Sequence, residues 1–405
     1  MTIGVSQEGA LPARPSAVIF GAGNVGRGFL GQLCTESGYA VTFVDIDRPL
    51  LAALNARGGY PLHLVDNDSR QELWIAPVRA LRADDVEGVA AAVAGCDLVA
   101  TAAGVRALPA VARPLALGLA RRLADPAAPP LNIIVCENLK DAARHFRSLV
   151  EAELPPDLAS RLAGRVGFVD TVIGRMVPLL TPEQRAQDPA FIVAEPYKEL
   201  PVDRESLVGD VPQVVGLEPC HPFAAYVARK LYIHNGGHAV LGYLGYQRGW
   251  VYGYQALEDP VVRPLLEAAW AEARAGIAGA YPVREEWLAA HAADLRRRFA
   301  NRALGDTVLR LARDPARKLA ADDRLVGAAR LAERAGVAPQ ALAWAIAAGL
   351  AFDSAEDLLA LRLQQEIASQ GLPATLRAVT GIDPQEPLGQ TVLACHARLR
   401  AGEWP

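Results

Sequence analysis

The sequence has very little lysine. Of 41 lysine and arginine residues in a chain of 405, only Lys140, Lys198, Lys230 and Lys318 are lysines. Arginine serves as well on a surface, but it cannot release a proton near neutral pH, whereas a desolvated lysine can. The surviving lysines are therefore candidates for positions that need that chemistry. Cysteine is also scarce: Cys34, Cys96, Cys136, Cys220 and Cys395 lie far apart, with no pair at metal-ligand or redox spacing. That argues against a disulfide framework or a zinc cluster and favours a reduced, cytoplasmic chain. No apolar run reaches the ~20 residues a membrane helix needs; the window Val89–Val105 is broken by Asp97. The opening residues show no basic leader before an apolar stretch, so no signal peptide is expected. Basic excess is absent too. The net charge of −4 gives no global attraction for nucleic acid or an anionic membrane.

What is present is globular: 51% hydrophobic and 21% charged residues, in a length that suggests two domains. Residues 1–15 have no periodic pattern and read as a tail. Ser16–Phe20 is a short apolar run ending in GAGNVGRGF, the format of strand, glycine turn and helix. Ala40–Val44 reads as a second strand ending in Asp45, followed by a helix over Pro49–Arg57. Cys96–Ala102, Leu131–Cys136 and Val166–Thr171 read as further buried strands, with a helical pattern over Pro109–Leu123. Strands alternating with helices predict an α/β fold with a Rossmann-type, doubly wound parallel sheet over residues 16–200. From about His221 the pattern turns helical, predicting a mostly α-helical domain over residues 201–405. Helices are expected over Pro222–Tyr232, Ala239–Arg248, Pro260–Ala278, Val283–Phe299, Pro339–Leu350 and Ala355–Gln370, the last capped at Ser354.

Two motifs carry chemistry. Gly21-Ala22-Gly23-Asn24-Val25-Gly26 is a GxGxxG in the context a dinucleotide site needs. Gly21 permits the tight turn, Gly23 the approach of a pyrophosphate, and Gly26 close packing of helix on strand. Asp45, 19 residues after Gly26, can accept hydrogen bonds from ribose hydroxyls and would repel a 2′-phosphate, favouring NAD over NADP. The second motif is Lys230-Leu-Tyr-Ile-His-Asn235-Gly-Gly-His238. Asn235 and His238 share a helical face, and lysine, asparagine and histidine together could deprotonate an alcohol and cradle its oxygen. A straight helix, however, does not obviously converge Lys230 with His238, and on spacing alone an amphipathic helix with a surface lysine and a capping asparagine is the favoured reading. The basic run Arg296-Arg297-Arg298, with Arg302, Arg310, Arg313, Arg317 and Lys318 after it, reads as a solvated or ion-paired face; the alternative is a phosphate contact.

GAGNVGRGF, Asp45 and KLYIHNGGHA together resemble the polyol-specific long-chain dehydrogenase/reductase family, whose K-x4-N-x2-H signature is matched at Lys230, Asn235 and His238. Similar segments include DLVATAAG (97–104), CENLKDAAR (136–144), VGFVDTVIGRMVP (166–178) and the stretch 298–327. The resemblance implies a metal-independent, NAD-dependent oxidation of an alcohol. It makes Lys230 the general base, Asn235 and Asn138 the oxyanion donors, and His238 the group orienting the substrate oxygen. It adds Thr101 and Gly104 to the cofactor loop. The expected substrate pair is D-mannitol 1-phosphate and D-fructose 6-phosphate, handled by a monomer or small homo-oligomer. A mannitol 2-dehydrogenase, a hexuronate (fructuronate or tagaturonate) reductase and a non-catalytic NAD-binding redox sensor are the alternatives. Gly174 stands where relatives often carry an acidic residue and Leu200 where they often carry tryptophan, both near segments expected to shape the polyol site.

Overall fold

A computed structural model of the chain describes residues 14–405; the expected tail falls almost entirely outside them. Contacts divide the chain into two units. The first comprises the described residues through Leu64, with Glu72–Ala194 and Lys198–Pro219. The second comprises Val65–Gln71, Glu195–Tyr197 and Cys220–Pro405.

The strands are β1 (Ser16–Phe20), β2 (Ala40–Asp45), β3 (Tyr60–Val65), β4 (Arg70–Ile75), β5 (Val78–Arg82), β6 (Leu98–Thr101), β7 (Leu131–Val135), β8 (Val166–Asp170), β9 (Ile192–Ala194), β10 (Leu200–Asp203) and β11 (Leu217–Cys220). Six of them form one sheet in the order β5-β2-β1-β6-β7-β8. All five pairings are parallel. Burial on both faces explains why β1 and β6 are nearly continuous apolar runs, whereas the edge strand β5, Val-Arg-Ala-Leu-Arg, alternates buried and more exposed residues. Alternate residues of β1 feed two separate cores. Ala17 and Ile19 pack with Leu33, Phe43, Leu50 and Leu54 on one side. Val18 and Phe20 pack with Leu115, Leu119, Phe146 and Val150 on the other. The fold is thus a doubly wound α/β sheet, as its strand pattern predicted. Register aligns Phe20 with Val44 and Thr101, Thr101 with Val135, and Val135 with Asp170. That row is the carboxyl edge of the sheet, where ligands bind in open α/β folds.

The sequence reading passed over β3, β4 and β5 and the helices Val86–Gly95 and Ala142–Glu153. β4 reads Arg-Gln-Glu-Leu-Trp-Ile, with its first three residues exposed, so no apolar signal marks it. Leu200 opens β10 and lies in a hydrophobic core at 2% exposure, which places it in packing and not on a substrate-facing surface.

The second unit is mostly helical. The two expected helices 222–232 and 239–248 are one: an α-helical turn at Phe223–Ala228 passes through a π segment, Arg229–Asn235, into Gly236–Gln247. Gly236 and Gly237 are buried inside this helix. Helix Val262–Ala280 follows Asp259, whose carboxylate accepts from the amides of Val261 and Val262. The cap expected at Ser354 is instead Asp357, which accepts from Leu359 and Ala360 at the start of Leu358–Gln370. Helices Val326–Arg334, Leu372–Thr380 and Pro387–Arg400 complete the unit without having been foreseen. Among the described residues no helix is long and apolar enough to cross a membrane.

Candidate functional site

In the first unit the candidate residues lie at or just beyond the carboxyl edge of the sheet. Gly21 has φ +96°, and a Cβ there would sit 2.4 Å from the carbonyl oxygen of Ala102. A Cβ at Gly26 would lie 2.0 Å from the carbonyl oxygen of Gly21, so only glycine lets this helix start against the strand. At Gly23, by contrast, a Cβ would meet nothing within 4 Å. The loop is therefore open on the side where a pyrophosphate would approach the helix N-terminus. Asp45 closes β2. Its Oδ2 accepts from Ala22 N–H at 2.6 Å and its Oδ1 from Ile46 N–H at 2.6 Å. Asp45 thus ties the end of β2 to the glycine loop, a contact the motif alone does not disclose. These residues fit a dinucleotide: an open glycine turn beside a carboxylate with lone pairs to spare for hydroxyls.

Thr101 ends β6 fully buried, beneath the loop that turns at Gly104, where φ is +91°. That loop has a second anchor which sequence reasoning missed. Glu137, two residues beyond β7, accepts from Ala103 N–H at 3.0 Å, and burial raises its carboxyl pKa. Asn138 comes next and is exposed.

In the second unit Lys230, Asn235 and His238 ride on the single 223–247 helix. In a regular α-helix, side chains five apart diverge by about 140°. A π turn closes on residue five instead. Here Gly236 N–H reaches Leu231 O, five residues back. K-x4-N is therefore the repeat of the wide turn itself, which brings Lys230 and Asn235 to one side of the helix. Asn235 and His238, three apart, keep the α-helical neighbour relation.

The local electrostatics are distinctive. Lys230 is partly buried, and its pKa is pushed down to about 8 by desolvation, then by Arg324, against the opposing pull of Asp323. Lys318 is lowered further, to about 7, by burial and then by Arg324 and Arg317; its ammonium donates to the carbonyl of Leu311. His238 is held well below the usual imidazole range by burial, then by Arg310 and Lys318. Its ring stacks on Phe299 at 4.2 Å and meets the His234 ring edge-on at 5.0 Å. Lys198, in the first unit, is an ordinary ion pair with Glu36 at 2.7 Å.

The basic run at 296–298 is ion-paired. Arg296 bonds Glu267 at 2.9 Å, Arg297 bonds Asp66 at 2.7 Å, and buried Arg298 bonds Glu195 at 2.8 Å. Among the described residues no three histidine, cysteine or acidic side chains gather as a metal site.

Residues 15–216 match the mannitol dehydrogenase Rossmann domain and residues 223–381 the mannitol dehydrogenase C-terminal domain. The chain belongs to the mannitol dehydrogenase family. It is 37% identical over 388 residues to a mannitol-1-phosphate 5-dehydrogenase of Brevibacillus brevis, covering 96% of this chain and 98% of that one. It is also 37% identical over 379 residues to the enzyme of the same name from Bacillus licheniformis, covering 93% and 98%. Among solved structures, mannitol 2-dehydrogenase of Pseudomonas fluorescens, in ternary complex with NAD and D-mannitol, superposes with TM-score 0.75 at 19% identity, covering 96% of this chain and 92% of that one. A substrate-free D-sorbitol dehydrogenase superposes at 0.79 with 18% identity, covering 96% and 94%. The two solved structures share the fold of this mannitol dehydrogenase family member. The family makes the chain a polyol oxidoreductase built on a Rossmann domain.

Proposed function

We propose that this chain is an NAD-dependent dehydrogenase that interconverts D-mannitol 1-phosphate and D-fructose 6-phosphate without a metal ion. The observation that carries the reading is Lys230, a lysine whose surroundings bring its pKa to about 8, on a helix whose π turn carries it toward the side that Asn235 occupies. A base of that strength is half-neutral near working pH and can take a hydroxyl proton. When bound, NAD supplies the acceptor for the hydride leaving the carbinol carbon. Lys230 Nζ removes the hydroxyl proton, and the side-chain amides of Asn235 and Asn138 donate to the oxygen as charge develops. His238, kept neutral by burial and neighbouring cations, can donate one ring N–H and orient that oxygen. Asp45 accepts from the adenosine ribose while holding Ala22, and its charge disfavours a 2′-phosphate. The first unit serves as the cofactor domain and the second as the catalytic domain.

Two observations support a phosphorylated substrate. The relatives with 37% identity are named mannitol-1-phosphate 5-dehydrogenases. In addition, Arg310 and Arg324 both act on His238; each pairs with a carboxylate, Asp306 and Asp323, but a guanidinium has five donors and can also serve an anion. The test is a comparison of fructose 6-phosphate with fructose, each with NADH and NADPH. Loss of two charge-assisted hydrogen bonds, each worth about 1.5–3 kcal/mol, lowers kcat/KM for fructose by roughly 100-fold or more. Equal efficiency on the two sugars would transfer the chain to the mannitol 2-dehydrogenase reading, and preference for NADPH would refute the role given to Asp45.

A further inference from the structure

The π segment has a partner on a neighbouring helix. Where the wide turn rejoins the α-helix, Gly236 N–H reaches both Leu231 O and Ile233 O. The indole Nε1–H of Trp270, from helix Val262–Ala280, donates to the same Ile233 carbonyl at 2.8 Å. Both residues are buried, Ile233 at 0% and Trp270 at 2% exposure. An indole N–H needs an acceptor when buried, and here it finds the junction carbonyl. The packing around it is equally constrained. A Cβ on Gly237 would lie 2.7 Å from Trp270 Nε1 and 3.0 Å from Phe299 Cε2. Gly237 is thus the gap through which the indole reaches the helix backbone. Phe299, which stacks on His238, lies 6.0 Å from the Trp270 ring, centroid to centroid.

From this geometry we infer that Trp270 is a positioning residue: its bond to Ile233 O fixes the wide turn that sets Lys230 in register with Asn235 and His238. The inference rests on the catalytic reading of those three side chains. It assigns Trp270 no contact with substrate or cofactor. An α-helical repacking of 229–235 would leave Lys230 about 140° from Asn235 around the helix axis. The indole bond opposes that repacking by holding the carbonyl at the junction. A misplacement of about 1 Å among reacting groups can cost 10²-fold in rate.

The experiment compares Trp270→Phe with wild type and with Lys230→Ala in the full chain. Phenylalanine keeps an aromatic ring and removes the N–H. The expected result is a fall in kcat of about 10- to 100-fold, with cofactor KM within about twofold of wild type. The pH midpoint of oxidation should also move upward, since a lysine released from its setting among Arg324, Asp323, Arg317 and His234 regains hydration. A merely structural tryptophan would lower thermal stability without moving that midpoint. Benzothienylalanine at 270, which exchanges N–H for sulfur at nearly constant shape, gives the same readout should phenylalanine leave too large a void. Wild-type kcat and pH midpoint in a folded variant at 270, with Lys230→Ala inactive, would overturn the role of Trp270 alone. Wild-type kcat in Lys230→Ala would instead overturn the catalytic reading on which it rests.

Discussion

Lys230 is neutral only when its surroundings make it so. A pKa of about 8 follows from desolvation first and from the Arg324 guanidinium second, with Asp323 pulling the other way. Oxidation should therefore rise with pH through about 8 to a plateau, because the base must be unprotonated. Reduction should be favoured below it, where the ammonium can return the proton. Lys230→Ala should lower kcat by about 10²–10⁴-fold, with little change in cofactor affinity. Lys230→Arg should restore nothing, since guanidinium stays charged. Steady-state rates from pH 6 to about 10 with the three proteins check this. The scarcity of lysine singled out four positions, of which Lys230 and Lys318 prove to have lowered pKa values. It could not separate them. Their shifts come first from burial and then from neighbours such as Arg324, which is distant from Lys230 in sequence.

At the scale of elements, ends and irregular turns decide more than interiors. Helix Gln340–Leu350 follows Pro339 and has no side-chain cap of its own. Its first amides are satisfied from another helix: Glu272 accepts from Ala341 at 2.8 Å and Leu342 at 2.9 Å. Glu272→Ala leaves these two buried donors unpaired, and at about 1–3 kcal/mol each the loss is a substantial share of a domain's stability. Chemical denaturation should show a lower midpoint for this variant, while Glu272→Gln, which can still accept with one oxygen, falls between. The same feature shows the limit of the sequence. Ser16–Phe20 and Ala40–Asp45 could be located almost to the residue because buried parallel strands are largely apolar runs. A cap supplied from 69 residues away leaves no local mark. The π turn is a subtler case, since the K-x4-N spacing that defines it was visible. Read as an α-helix, however, the spacing seemed only to scatter the side chains.

For the molecule as a whole, the buried histidines set the response to acid. His234, His238 and His291 are each lowered well below the usual imidazole range, first by burial and then by nearby cations. In the unfolded chain they take up protons near pH 6.5; in the folded chain they do not. Unfolding therefore binds more protons as pH falls below about 6.5, and stability decreases there. A thermal unfolding series from pH 8 to 5 should show a Tm that declines as pH falls through about 6.5. His291→Phe should flatten part of that decline. Retention of a constant Tm down to pH 5 would contradict the burial of neutral imidazoles.

Arg298 and Glu195, members of the second unit, are both almost wholly removed from water. They are 103 residues apart. Asn301 likewise bonds the carbonyl of Val65, 236 residues earlier. During synthesis the ribosome delivers Val65 and Glu195 long before Arg298 and Asn301 emerge. The second unit cannot close its polar interior until most of the chain is out, and two fragments cut near residue 219 would each lack part of it. Truncating a buried ion pair on one side costs about 3–5 kcal/mol. A fragment beginning at residue 220 would keep the Asp294 partner of Arg298 but leave its buried partner, Glu195, on the other piece. This polypeptide is two units in space, yet the second can be completed only by a chain translated without interruption.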